Sequence, residues 1–157
     1  AIKWGVGKVS EKIIDKINIL EATKLAMKKA LKNLKTKNEN LKINYLILDG
    51  KMKLDLPTLR RTQGGEGSRT ISQKSIVKAD EKVFSCAVAS IIAKVTRDRI
   101  MERYNKKYPQ YGFKKHKGYP TKHHLKMLKK YGSCKIHRKS FRPVMKYKMR
   151  MTIAKSI

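Results

Sequence analysis

Only 11 of the 157 residues are Asp or Glu, against 40 Lys and Arg, so a carboxylate at the end of an apolar run needs a reason. Two such acids occur. Asp49 ends the run in "NYLILDG" (44–50), and Asp80 ends "SIVKAD" (75–80). A carboxylate buried alone is prohibitive, so it must be hydrogen-bonded, ion-paired or bound to a metal. Acids gathered at adjacent strand ends of a basic protein are a usual means of holding Mg²⁺ beside a phosphodiester. Oxygen ligands suit that hard ion, and surrounding lysines suit the phosphates. The same spacing also fits two strand-terminal turn residues, with Asp49 opening an Asp-Gly turn. Two carboxylates are few for a two-metal site.

The remaining polar clusters point to nucleic acid. In "KKHKGYPTKHH" (114–124), Lys114, Lys115, Lys117 and Lys122 surround Tyr119, an aromatic able to stack on a sugar or base. His116 lies among those lysines as a phosphate contact or a local cap. A solvated loop whose tyrosine packs on the next helix has the same pattern. Lys94 and Arg97 stand where a long helix turns polar; Asp98 is adjacent to Arg97, does not face it, and reads as structural. The segment "HRKSFRPVMKYKMR" (137–150) adds Arg138 as a further phosphate-binding candidate. A zinc site is disfavoured. No Cys-x2-Cys or His-x3-His pair exists, and His123 and His124 point apart on a helix. "GGEG" (64–67) has neither a Walker lysine nor the dinucleotide spacing.

The elements that must carry these residues alternate between strand and helix. "WGVGKV" (4–9) predicts a short strand, its glycines hinting at close backbone approach. Ser10 is a plausible N-cap for "EKIIDKINIL". From Ile19, the positions Ala22, Ala26 and Ala30 recur at helical spacing with Leu20, Met27, Leu31 and Leu34, predicting an amphipathic helix to near Lys35. "NYLILD" reads as a buried strand, 51–74 as loop and 75–80 as a second strand. Residues 82–108 predict a long helix stopped by Pro109. Its first half is apolar nearly all round and rich in small residues. Thr121 caps a last helix, ended by Gly132.

Length suits one domain, and a formal net charge of +29 implies a polyanionic partner, nucleic acid or a membrane surface. No run approaches a transmembrane span, and the first residues lack the apolar core of a secretory signal. Cys86 and Cys134 are too few for a disulfide framework, so reduced thiols and a cytoplasmic location are expected.

Taken together, "IDKINILEATKLAMKKAL", "LILDGKMKL", "SIVKADEKVFSCAVASIIAKVTRDRIMERY", "YPQYGFKKHKGYPTKHH" and "HRKSFRPV" resemble ribonuclease HII, the type 2 ribonuclease H, in the family's order across residues 4–144. The resemblance implies an α/β, RNase H-like fold, a mixed sheet flanked by helices, and a carboxylate cluster binding Mg²⁺ or Mn²⁺. By motif match, Asp49 and Asp80 are similar to the family's third and fourth active-site acids, although Ala79 stands where Gly is common. Tyr119 is similar to the tyrosine beside the ribose at an RNA–DNA junction. The implied substrate is an RNA–DNA hybrid or ribonucleotide-containing duplex DNA, cut by a monomeric enzyme. The family's first strand carries an adjacent Asp-Glu pair and a Gly-Arg-Gly-like element, and no "DEAGRG"-like word occurs here. The expectation is therefore a C-terminal portion, residues 1–144 forming the domain without its N-terminal strands and 145–157 a basic tail, inactive alone. The competing reading is a non-catalytic basic nucleic-acid-binding protein on the same fold.

Overall fold

Gly7 lies so close to a helix that a Cβ added to it would stand 1.8 Å from the carbonyl oxygen of Ala26, and one on Gly5 would stand 2.5 Å from that of Ala30. This packing comes from a computed structural model, which describes residues 3–38, 41–56 and 71–147. The helix is α1, Glu11–Thr36, interrupted at Asn18. It starts where Ser10 was expected to cap it, the Ser10 carbonyl accepting from Ile13 and Ile14. The strand expected over 4–9 is not formed; the segment is non-regular chain. Its two glycines admit the backbone to the alanine stripe of α1, and side chains replace a strand ladder. Asn33 donates to the Val6 carbonyl at 2.8 Å and Lys29 to that of Lys8 at 3.4 Å.

The chain divides into two compact units. The first comprises residues 1–8 and 24–93. In it β1 (Tyr45–Asp49) and β2 (Ser72–Ile76) pair in parallel, with Asp49 opposite Ile76. The second strand thus starts and ends earlier than expected, and Ser72 to Lys74 leave the predicted loop. Their polarity hides the strand, because the polar side chains bond to main chain. Gln73 exchanges two hydrogen bonds with the Leu54 backbone, at 2.9 and 2.8 Å, and Ser75 donates to the Met52 carbonyl. "GGEG" lies outside the described residues.

Of β1 only Leu48 is buried, and Tyr45 is exposed. The expected burial is not reached because β2 is its sole strand neighbour among the described residues. Lys78, in the left-handed region at φ 57°, turns the chain into α2, Ala79–Lys82. There follows α3, Phe84–Lys107, ending just before the Tyr108-Pro109 step as expected. No residue of α3 is fully buried, and Phe84 is 75% and Ile91 61% exposed. The apolar first half of the helix is not matched by a cover among the described residues.

The second unit comprises 9–23 and 94–157. Its core is Tyr111, Phe113, Leu128 and Val144, with Met101, Tyr104, Leu125 and Phe141 packed around them. Pro109–Tyr111 forms a 3₁₀ turn, followed by α4 (Phe113–His116) and α5 (Lys122–Tyr131). The Thr121 hydroxyl accepts from the His124 amide and Gly132 closes α5, both as the sequence indicates. In the first half of α1, Asp15 accepts from the amides of Lys139 and Ser140 at 2.7 and 3.0 Å and from the Ser140 hydroxyl. Burial pushes the Asp15 carboxyl up, but these bonds and the Arg138 charge outweigh it and hold the group below its ordinary value. Asn18, at φ 65°, ends one helical stretch and caps the next, its Oδ1 accepting from Leu20 and Glu21.

Candidate functional site

Parallel pairing of β1 and β2 brings their C-terminal ends side by side, and the two acids follow from that register. Asp49 is the last residue of β1, and its Oδ1 accepts from the Ala79 amide at 2.9 Å. Ala79 is fully buried, so this bond satisfies an amide that water does not reach. Asp80 is next in sequence, in the first turn of α2 rather than at a strand end. Both acids are exposed, not buried. Partial burial pushes the Cys86 thiol up, and the Asp49 and Asp80 charges add to this shift.

Oxygen donors of this kind fit Mg²⁺ or Mn²⁺. Neither acid is ion-paired among the described residues. The described residues contain no group of three or more His, Cys, Asp or Glu arranged for a metal. The donor chemistry fits a hard divalent ion, but two carboxylates are fewer oxygen donors than such an ion takes.

In the second unit Tyr119 is 60% exposed, at the end of a turn in which Lys117 and Gly118 have φ 49° and 88°. Arg97, from α3, fixes that turn. Its Nη2 donates to the Lys117 carbonyl at 2.8 Å and its Nη1 to the Tyr119 hydroxyl at 3.2 Å, with the guanidinium 4.7 Å from the ring centroid. The sequence leaves open that Arg97 pairs with another element, but no local pattern names Tyr119 as its partner.

The other candidates differ in availability. Lys94 is exposed. Lys117 is half committed, 3.5 Å from the Glu102 carboxylate. Arg138 is partly buried over the Phe141 ring, its Nε lacking a hydrogen-bond partner. His116, placed among the phosphate contacts by the sequence, is buried, with Nε2 at 2.7 Å from the Tyr111 carbonyl and Nδ1 accepting from Gly118. Both ring nitrogens are engaged, so His116 shapes the turn instead of meeting phosphate.

The model of the family described as Ribonuclease HII matches residues 3–144. The chain belongs to the ribonuclease HII family. It is 52% identical over 141 residues to Ribonuclease HII of Acetivibrio thermocellus and 49% identical over 141 residues to that of Caldanaerobacter subterraneus subsp. tengcongensis. These alignments cover 90% of this chain but 48% and 51% of the relatives, so the chain spans about half the length of the curated relatives it matches. The crystal structure of the ribonuclease H2 from Pyrococcus horikoshii OT3 shares the fold, with a TM-score of 0.60 at 24% identity, over 92% of this chain and 67% of that one. The α/β, RNase H-like architecture expected from the sequence therefore stands. Among the described residues of this ribonuclease HII relative, no helix is long and apolar enough to cross a membrane.

Proposed function

We propose that this chain serves a ribonuclease HII reaction, metal-dependent hydrolysis of the RNA strand in RNA–DNA hybrids and at ribonucleotides within duplex DNA. The observation that carries the reading is the pair Asp49 and Asp80. In a chain of net charge +29, two neighbouring acids are left without an ion-pair partner among the described residues, one of them oriented by a buried amide. Such acids oppose phosphate binding unless a cation stands between them and the phosphate. Asp49 and Asp80 would hold Mg²⁺ or Mn²⁺ there, and the ion would supply an activated water and charge stabilisation for the leaving oxygen.

The chain's own residues then divide the work. The Ala79 amide holds one Asp49 oxygen and leaves the other to face a ligand. Tyr119, steadied by Arg97, offers its ring to the ribose, while Lys94, Lys117 and Arg138 neutralise backbone phosphates. Two carboxylates alone hold Mg²⁺ loosely, so a firmly held ion calls for further oxygen ligands beside Asp49 and Asp80. The free thiols of Cys86 and Cys134 suit a reducing, cytoplasmic setting.

The test is to supply a family-type segment carrying the Asp-Glu pair, fused or in trans, and assay a labelled hybrid with Mg²⁺ or Mn²⁺. Cleavage should appear, and Asp49→Asn or Asp80→Asn should abolish or greatly weaken it. Cleavage indifferent to Asp49 overturns the metal assignment. Tight hybrid binding with no cleavage in any combination favours the non-catalytic binding protein.

A further inference from the structure

Three histidines are buried in the second unit, His116, His124 and His137, and two of them form a hydrogen-bonded chain with a single direction. His124 Nδ1 lies 2.9 Å from the Tyr119 carbonyl oxygen, and His124 Nε2 lies 3.0 Å from His137 Nε2. At the other end the Cys134 amide donates to His137 Nδ1 at 2.9 Å. A carbonyl only accepts and an amide N–H only donates. The Tyr119 end therefore places a proton on His124 Nδ1, and the Cys134 end leaves His137 Nδ1 without one. Neutral His137 must then carry its proton on Nε2 and donate it to the bare Nε2 of His124. The two anchors, read separately, demand the same pair of tautomers. The Cys134 thiol, 3.1 Å from His137 Nδ1 and pushed up by burial, remains an S–H and is compatible with that arrangement. With every ring nitrogen used, the pair has no lone pair left for a metal.

We propose that His124 and His137 are positioning residues for nucleic-acid recognition: their directed chain fixes the Tyr119 carbonyl, and so the main chain from which the Tyr119 ring projects. The inference rests on the reading of Tyr119 as the ribose contact. The turn needs such support. Lys117 is left-handed, Pro120 has no N–H to donate, and Arg97 grips the turn only at the Lys117 carbonyl and the Tyr119 hydroxyl. The Tyr119 carbonyl is gripped separately, by the Thr121 amide and by His124. Imidazole suits the link because, neutral, it accepts at one nitrogen and donates at the other.

Long-range ¹H–¹⁵N correlation spectra of the full chain labelled at histidine decide the tautomers. His124 should be protonated on Nδ1 and His137 on Nε2; either ring in the opposite form overturns the inference. In His124→Leu, hydrogen exchange at the Tyr119 and Thr121 amides should accelerate about five- to tenfold, the equivalent of one lost hydrogen bond, with amides of the second half of α3 unmoved. Asn carries a donor at the position of Nδ1, so His124→Asn should restore slow exchange. Unchanged exchange in His124→Leu overturns the positioning role. The affinity ratio between a duplex with one ribonucleotide and the all-DNA duplex should fall in the Leu variant and recover in the Asn variant. A wild-type ratio of one refutes Tyr119 as the ribose contact, while the spectra and exchange still decide the chain of histidines.

Discussion

Arg97 and Tyr119 are joined twice, by a 3.2 Å hydrogen bond to the hydroxyl and by the guanidinium lying 4.7 Å from the ring centroid. A third contact, to the Lys117 carbonyl, means that one side chain restrains both ring and turn. The planar fork of arginine makes this possible; an ammonium has one nitrogen and cannot reach both.

Arg97→Lys should therefore weaken binding to a ribonucleotide-containing duplex although it keeps the charge, and Arg97→Ala should weaken it further. Tyr119→Ala should cost about 1–3 kcal/mol of binding, one stacking contact, with the melting temperature nearly unchanged. Anisotropy titrations and thermal melts check both. A large fall in melting temperature with normal binding would make Tyr119 a packing residue.

Gly7→Ala should destabilise the first unit by about 1–3 kcal/mol, the usual cost of overpacking, since the new methyl would meet the Ala26 carbonyl oxygen. The obstacle is backbone, so adding Ala26→Gly should not rescue the variant. Denaturant titration of the single and double variants measures this; recovery in the double variant would show that side-chain volume sets the contact.

Stability should depend on pH through His137. Burial, then the His124 charge, hold its pKa down to about 4, with His116 adding to the effect. His124 is also lowered, first by burial. Between the ordinary histidine value near 6.5 and about 4, the unfolded chain binds a proton that the folded chain refuses. Stability is thus full above that window, falls as pH drops through it, and levels off below. For His137 the loss is at most about 3 kcal/mol. Unfolding titrations at pH 7, 5.5 and 4 check the slope, which should flatten in His137→Gln.

Duplex binding should weaken steeply with salt, because 40 basic residues meet phosphates by releasing counterions. Each phosphate contact contributes about 0.9 to the log–log slope on B-DNA. Lys94→Ala should reduce the slope by about one contact without changing sequence preference. An affinity equal at low and moderate salt would contradict the electrostatic account.

Local chemistry was legible in the residues themselves. Ser10, Pro109, Thr121 and Gly132 mark helix ends because the groups they satisfy or remove lie within one turn of chain. Asp49 before Gly50 marks the close of β1 for the same reason, and the ordered family words carry the fold. The strand expected over 4–9 fails because alternation states only which side chains share a face. What lies opposite is decided elsewhere, here by Ala26 and Ala30 of α1, which Gly5 and Gly7 allow the backbone to approach. Ser72 to Lys74 failed in the reverse sense: their polarity reads as loop until Gln73 is seen bonding to Leu54.

Tertiary structure alone decided the working geometry. Composition and motif determined that this is a basic α/β chain of the ribonuclease HII family, with Asp49, Asp80 and Tyr119 as its candidates for chemistry. That Arg97 clamps Tyr119, that Asp49 orients on the Ala79 amide, and that His137 speaks to Tyr119 through His124 could not be read from spacing. Each depends on at least one pair of groups more than a dozen residues apart meeting within about 3 Å, the reach of a hydrogen bond. Which groups meet at that range is set by the packing of whole elements, to which the residues between them contribute no local signature.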